Sequence, residues 1–141
     1  MKFLLAVDGS ECSSRAANHL IGHLSLFREL PQILLVTVHA PIPSPRARAW
    51  VGKEVVEKYY DEENEEALAP AKAILTAKGI PFTAMKRVGE AGEEIARYAE
   101  SHDCDLIVMG THGHGNVLNL IMGSVATKVL AATKLPVMLI K

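Results

Sequence analysis

Five short apolar runs set the frame of this chain: FLLAV (3–7), ILLVTV (33–38), FTAMKRV (82–88), DLIVM (105–109) and VMLI (137–140). Four of them are nearly continuous in apolar residues, the pattern of strands covered on both faces. The third is broken by Lys86 and Arg87 and suits an edge strand with one solvated face. Between the runs the spacing becomes helical. Ala17, Leu20, Ile21, Leu24 and Phe27 recur after DGSECSS, whose serines can cap a helix. Val55, Val56, Tyr59, Leu68, Ala71, Ile74 and Leu75 form a stripe across 53–78, with DEENEE as a solvated face. Pro70 lies inside that segment and is expected to kink or divide it, since proline lacks an N–H and clashes with the preceding turn. Ile95, Ala96 and Ala99 mark a third helix, and a fourth is expected from near Ser124 to near Thr133, before Pro136. The segment APIPSPRARAWVG (40–52) holds three prolines and is expected to be irregular.

Strands alternating with helices specify an α/β fold, a doubly wound parallel sheet of five strands with helices on both faces. At 141 residues the expectation is one domain spanning 1–141. A chain of that size buries roughly two thirds of its unfolded surface. The formal net charge of −1 carries no electrostatic footprint for nucleic acid. The apolar runs are far shorter than the ~20 residues of a membrane-spanning helix. The start, MKFLLAVDGS, has too short an apolar run for a secretory segment, which needs ~7–15 residues. Neither nucleic acid nor membrane is therefore expected as a partner, and a cytoplasmic location is. Cys12 and Cys104 are far apart and fit neither a disulfide framework nor a zinc ribbon.

In such a sheet, function concentrates outside the carboxyl ends of the strands, where the strand order reverses. Asp8-Gly9-Ser10 follows the first strand, His39-Ala40-Pro41 the second, and GEAGEE the third. The fourth is followed by GTHGHGNVLNLIMGS (110–124). Gly110 and Gly113 allow positive φ and close backbone approach. Ser124 stands at the start of the last helix, where free N–H groups and the helix dipole favour a phosphate. The stretch is not a P-loop, and Leu118 stands where a dinucleotide fingerprint requires its third glycine. On the residues alone, a phosphate cradle and an ordinary strand-to-helix loop are equal alternatives. Asp8 could cap the first helix, or face a base, a ribose or a bound cation. His112 and His114 lack a third spaced ligand, so no metal site is expected; they could donate to phosphate. Lys128, one turn past Ser124, could face phosphates or solvent. No nucleophile elbow surrounds Ser10, and no catalytic residue is assigned.

The spacing Gly110-x2-Gly113-x9-Gly123-Ser124 resembles the nucleotide signature of the universal stress protein family. LLAVDGSECSSRAA, VGEAGEEIARYAESHDCDLIVMGTHGHG and GSVATKVLAATKLPVMLIK are similar to that family as well, in the right order and over nearly the whole chain. The resemblance implies strand order 3-2-1-4-5, a role in stress survival, and ATP, with Mg, as the ligand. It implies that Gly110, Gly113, Gly123 and Ser124 contact phosphate and ribose, with His114 and Gly115 in the same binding loop. Asp8 matches the acidic position lining the nucleotide pocket, and Val38 the position whose backbone meets the adenine. It implies a homodimer through the last strand, Val137, Met138, Leu139 and Ile140. His114, Asn116 and Pro70 depart from the usual residues at their positions. Slow ATP hydrolysis or phosphotransfer, and a nucleotide-independent dimeric scaffold, stand as the alternative functions.

Overall fold

The computed structural model describes residues 1–115 and 122–141. β1 (Lys2–Ala6) runs through the middle of a five-stranded sheet. β2 (Gln32–His39) and β4 (Leu106–Gly110) flank it, and β3 (Phe82–Val88) and β5 (Val137–Ile140) form the edges. Every neighbouring pair is parallel, and Leu4 stands level with Leu34 on one side and Ile107 on the other. The order β3-β2-β1-β4-β5 is the one the resemblance implied. The helices are α1 (Glu11–Gly22), α2 (Pro45–Val51), α3 (Lys53–Ala77), α4 (Ala91–Ser101) and α5 (Ser124–Ala132). Among the described residues, no helix is long and apolar enough to cross a membrane.

Strand alternation sorts the core into two layers. Phe3, Leu5, Val7, Ile33 and Leu35 pack with Ala16, Ala17 and Leu20 of α1 and with Leu68, Ala71 and Leu75 of α3. Leu4, Ala6, Leu34 and Val36 pack on the opposite face with Ile95, Tyr98 and Ala99 of α4 and with Ala126 and Val129 of α5. Burial on both faces explains why the central runs read as continuous apolar stretches. On β3, Lys86 and Arg87 point to opposite faces and meet acids of the covering helices. Lys86 Nζ lies 2.8 Å from Asp61 Oδ1 and 2.9 Å from Glu65 Oε2. Arg87 Nε lies 3.7 Å from Glu94 Oε2, and its guanidinium sits 5.4 Å from the Tyr98 ring centre.

Two sequence expectations are corrected. α3 is one helix through Pro70, which does not divide it. A mid-helix proline costs roughly 3 kcal/mol. Burying Leu68 and Leu75 against the sheet, at about 1.5–3 kcal/mol each, offsets that cost. The proline-rich segment 40–52 also forms a regular element, because Pro45 occupies the first position of α2. There a proline forfeits no helical hydrogen bond and its fixed φ suits the helix. The irregular part is the residues just before it, where the Ile42 N–H donates to the Tyr60 hydroxyl at 2.7 Å, and Gly52 at the break before α3.

Candidate functional site

The strand order reverses at β1, so the carboxyl ends of β1, β2 and β4 share one rim. A cavity of about 530 Å³ opens there. All eight binding residues inferred from sequence line it: Asp8, Val38, Gly110, Gly113, His114, Gly115, Gly123 and Ser124. Sequence reasoning missed the apolar walls, Ala6, Ile95, Met109 and Ala126, and the polar Ser13 and Thr111. Their positions on α1, α4, α5 and the strands, and for Thr111 just past β4, bring them in. The stretch 116–121, including Asn116 and the segment expected to arch over a ligand, lies outside the described residues.

Asp8 is braced rather than free. Its Oδ1 accepts from the Ser10 N–H at 3.0 Å and from the Ser13 hydroxyl at 2.6 Å. The cap of α1 is Ser10, whose hydroxyl oxygen accepts the Ser13 N–H at 3.2 Å. Asp8 therefore fastens the first turn of α1 without capping it. Its main-chain carbonyl accepts from His114 Nε2 at 2.7 Å, which fixes the Nε2–H tautomer and ties the loop after β4 to the loop after β1.

The glycines of the motif are there for room, not for backbone conformation. Among the described residues the positive-φ glycines are Gly9, Gly52 and Gly79, so Gly110 and Gly113 use the close approach that glycine allows rather than its positive φ. A Cβ at Gly110 would sit 2.8 Å from Cys12 Sγ, because α1 presses onto the end of β4. A Cβ at Gly113 would sit 2.5 Å from Asp8 Oδ2. One at Gly123 would sit 3.0 Å from the Thr111 carbonyl oxygen, which accepts the Gly123 N–H at 2.7 Å. A Cβ at Gly115 would meet nothing within 4 Å.

Two sets of main-chain groups at the cavity have no strand or cap partners among the described residues. The β1–β2 ladder ends where the Val7 N–H donates to the Val36 carbonyl at 2.9 Å. Val38, two residues further along the same edge, has no β1 partner. At the other end of the cavity, Gly123 precedes α5 with no side-chain cap, and the first turn of α5 holds no acid. By contrast, Ser10 caps α1, and Glu90 caps α4 by accepting the Glu93 N–H at 2.9 Å. Among the described residues, no side chain caps the N–H groups of the first turn of α5, which lie at a positive dipole end.

No Lys or Arg stands among the residues described around the cavity. Lys128 is drawn to α4, its Nζ 2.8 Å from Glu90 Oε1. That hydrogen bond, with the one from the Glu93 N–H, holds the Glu90 carboxyl below its ordinary range. His112 lines the cavity with its Nδ1 2.9 Å from Thr111 Oγ1. Among the described residues no group of three or more His, Cys, Asp or Glu could hold a metal ion.

This arrangement, a parallel sheet with open amides at one helix end and an acid at the central strand's exit, can be set beside known proteins. The model of the universal stress protein family matches residues 1–141. The chain belongs to the universal stress protein family. A universal stress protein of Methanocaldococcus jannaschii is 32% identical over 141 residues, 99% of this chain and 81% of that protein. The solved structure of a hypothetical protein from the same organism has a TM-score of 0.79 at 26% identity, covering 99% of this chain and 94% of that one. The universal stress protein of Archaeoglobus fulgidus, solved in complex with dAMP, shares the fold with a TM-score of 0.67 at 24% identity. That match covers 100% of this chain and 98% of the other.

Proposed function

We propose that this chain is an adenine-nucleotide-binding regulatory module of its family, taking ATP with Mg. The observation that carries the reading is the uncapped, acid-free N-terminus of α5 opening onto a 530 Å³ cavity. Open N–H groups at a helix N-terminus bind phosphate without a cationic side chain, and no lysine or arginine is described around this cavity. In this reading the amides after Gly123 and the Ser124 hydroxyl hold phosphates, and Gly113, Gly115 and His114 shape the loop beside them. The Val38 main chain pairs with the edge of the base. Asp8 reaches ribose or base rather than phosphate, since like charges repel. The A. fulgidus protein of the same fold was solved with dAMP, which supports the adenine end of this assignment. Mg would arrive on the nucleotide.

Fast phosphoryl transfer needs cations around the transferred group and a placed base, and Lys128 is tied to Glu90 instead. The role is therefore occupancy rather than turnover. The β5 edge, Val137–Ile140, pairs in this reading with a second copy of the chain.

The test is mass spectrometry of what co-purifies with the full chain, followed by calorimetric titration with ATP-Mg. Bound adenine nucleotide and a saturable heat are expected. Gly113→Val should weaken binding by about tenfold or more, or about 1.4 kcal/mol, while Lys128→Ala leaves it nearly unchanged. Protein free of nucleotide that gives neither heat nor thermal shift with ATP-Mg would overturn the reading.

A further inference from the structure

A second cavity, of about 390 Å³, lies beside the first, and Asp8, Val38 and His114 line both. It sits between the end of β2 and α3, lined by Thr37, His39, Glu63, Asn64 and Glu66. The buried stripe of α3 runs Asn64, Leu68, Ala71, Leu75. Its last three members are core. The first, nearest the carboxyl rim, is an amide that is only 3% exposed, and its side-chain carbonyl oxygen has no hydrogen-bond partner among the described residues. Thr37, equally buried on the facing strand, makes no side-chain hydrogen bond to a described residue. Buried polar side chains are almost always satisfied. The Asn64 oxygen is the exception on this cavity, and it marks a surface that a ligand completes.

The charges around it point the same way. On α3, Glu57, Asp61, Glu62 and Glu65 each hold a lysine. Glu63 and Glu66, which line the cavity, hold none, and His39 Nε2 lies 3.8 Å from Glu63 Oε2. Pro70 lacks an N–H, so the Glu66 main-chain carbonyl also loses its usual helical donor. No Lys or Arg stands among the lining residues. The site offers acceptors and negative charge and lacks a cation. Among the described residues it has no metal-holding cluster.

We propose that this cavity binds a small organic ammonium. An ammonium carries three donors and no acceptor. It would donate to the Asn64 side-chain oxygen and the Thr37 hydroxyl, with Glu63 and Glu66 balancing its charge. The volume is within the range of small-molecule pockets. The proposal does not rest on nucleotide binding, and the two are read separately.

The experiment is calorimetric titration of the full chain with diaminobutane, with butanediol of the same length as the uncharged probe. The diamine is expected to bind saturably at one site and the diol to give no heat. Asn64→Leu should weaken the diamine by about tenfold or more, since it removes the buried acceptor, with the circular dichroism spectrum retained. Thr37→Val and Glu66→Gln serve as further variants should Asn64→Leu misfold, and each should weaken it too. ATP-Mg titrations of the same samples should not change. No saturable heat with millimolar diamine overturns the proposal. So does equal affinity in the folded variants, which would mean diffuse attraction to acidic α3, and so does equal binding of the diol.

Discussion

At the scale of single residues, Gly110 and Gly115 look alike in the sequence and differ in the fold. Gly110 is pressed by α1: an added Cβ would sit 2.8 Å from Cys12 Sγ and 3.1 Å from the Cys12 carbonyl carbon. Backbone cannot yield as a side-chain tip can. Gly110→Ala should therefore cost about 1–3 kcal/mol, the usual range for overpacking. Gly115→Ala meets nothing within 4 Å and should stay within about 0.5 kcal/mol of the parent. Urea denaturation of the two variants checks the contrast, and equal losses would refute the crowding account. The identities of the rim residues were legible in the sequence because a fixed spacing of glycines and one acid after a strand are local signals. The reasons for them were not. What an added Cβ at Gly110 or Gly113 strikes belongs to residues about a hundred positions away, Cys12 and Asp8. Likewise, that Asp8 accepts from Ser13 is a matter of how α1 leaves β1, which no motif encodes.

At the scale of elements, the strands were readable because each covered strand is a continuous apolar run, and the structure places all five within a residue or two of those runs. α2 was not readable. It is a short, exposed helix opened by a proline, and the prolines around it speak for irregular chain. Pro70 misled in the opposite direction, because tertiary burial of the α3 stripe outweighs its local cost. That balance makes a prediction. Pro70→Ala restores an N–H to the Glu66 carbonyl and relieves the ring's clash with the previous turn. It should raise stability by about 1–3 kcal/mol, seen as a higher urea midpoint and melting temperature. A neutral or destabilising result would show that the proline is packed to advantage. In the ammonium titration, the same variant also shows whether that carbonyl helps hold the amine.

At the scale of the whole molecule, the two edges of the sheet are treated differently. β3 carries Lys86 and Arg87, and acids of α3 and α4 meet them on either face. β5 is Val-Met-Leu-Ile, half-buried throughout, with no charge along it. An apolar strand with an open hydrogen-bonding edge invites a partner strand, and a second copy placed across a two-fold satisfies both edges at once. Sedimentation at micromolar concentration should find a dimer, and a solution holding only monomer would refute the pairing. The central strand carries a different consequence. Leu4 is level with Ile107, so the neighbour on the reversal side of β1 lies 103 residues further along the chain. On a ribosome adding roughly 5–20 residues per second, that neighbour appears about 5–20 s after β1. Through that interval half of the rim is missing, since Gly110 to Ser124 has yet to be made. The cavity can exist only once synthesis has passed Ala126, and a ligand that fills it would distinguish chains beyond that point from earlier ones.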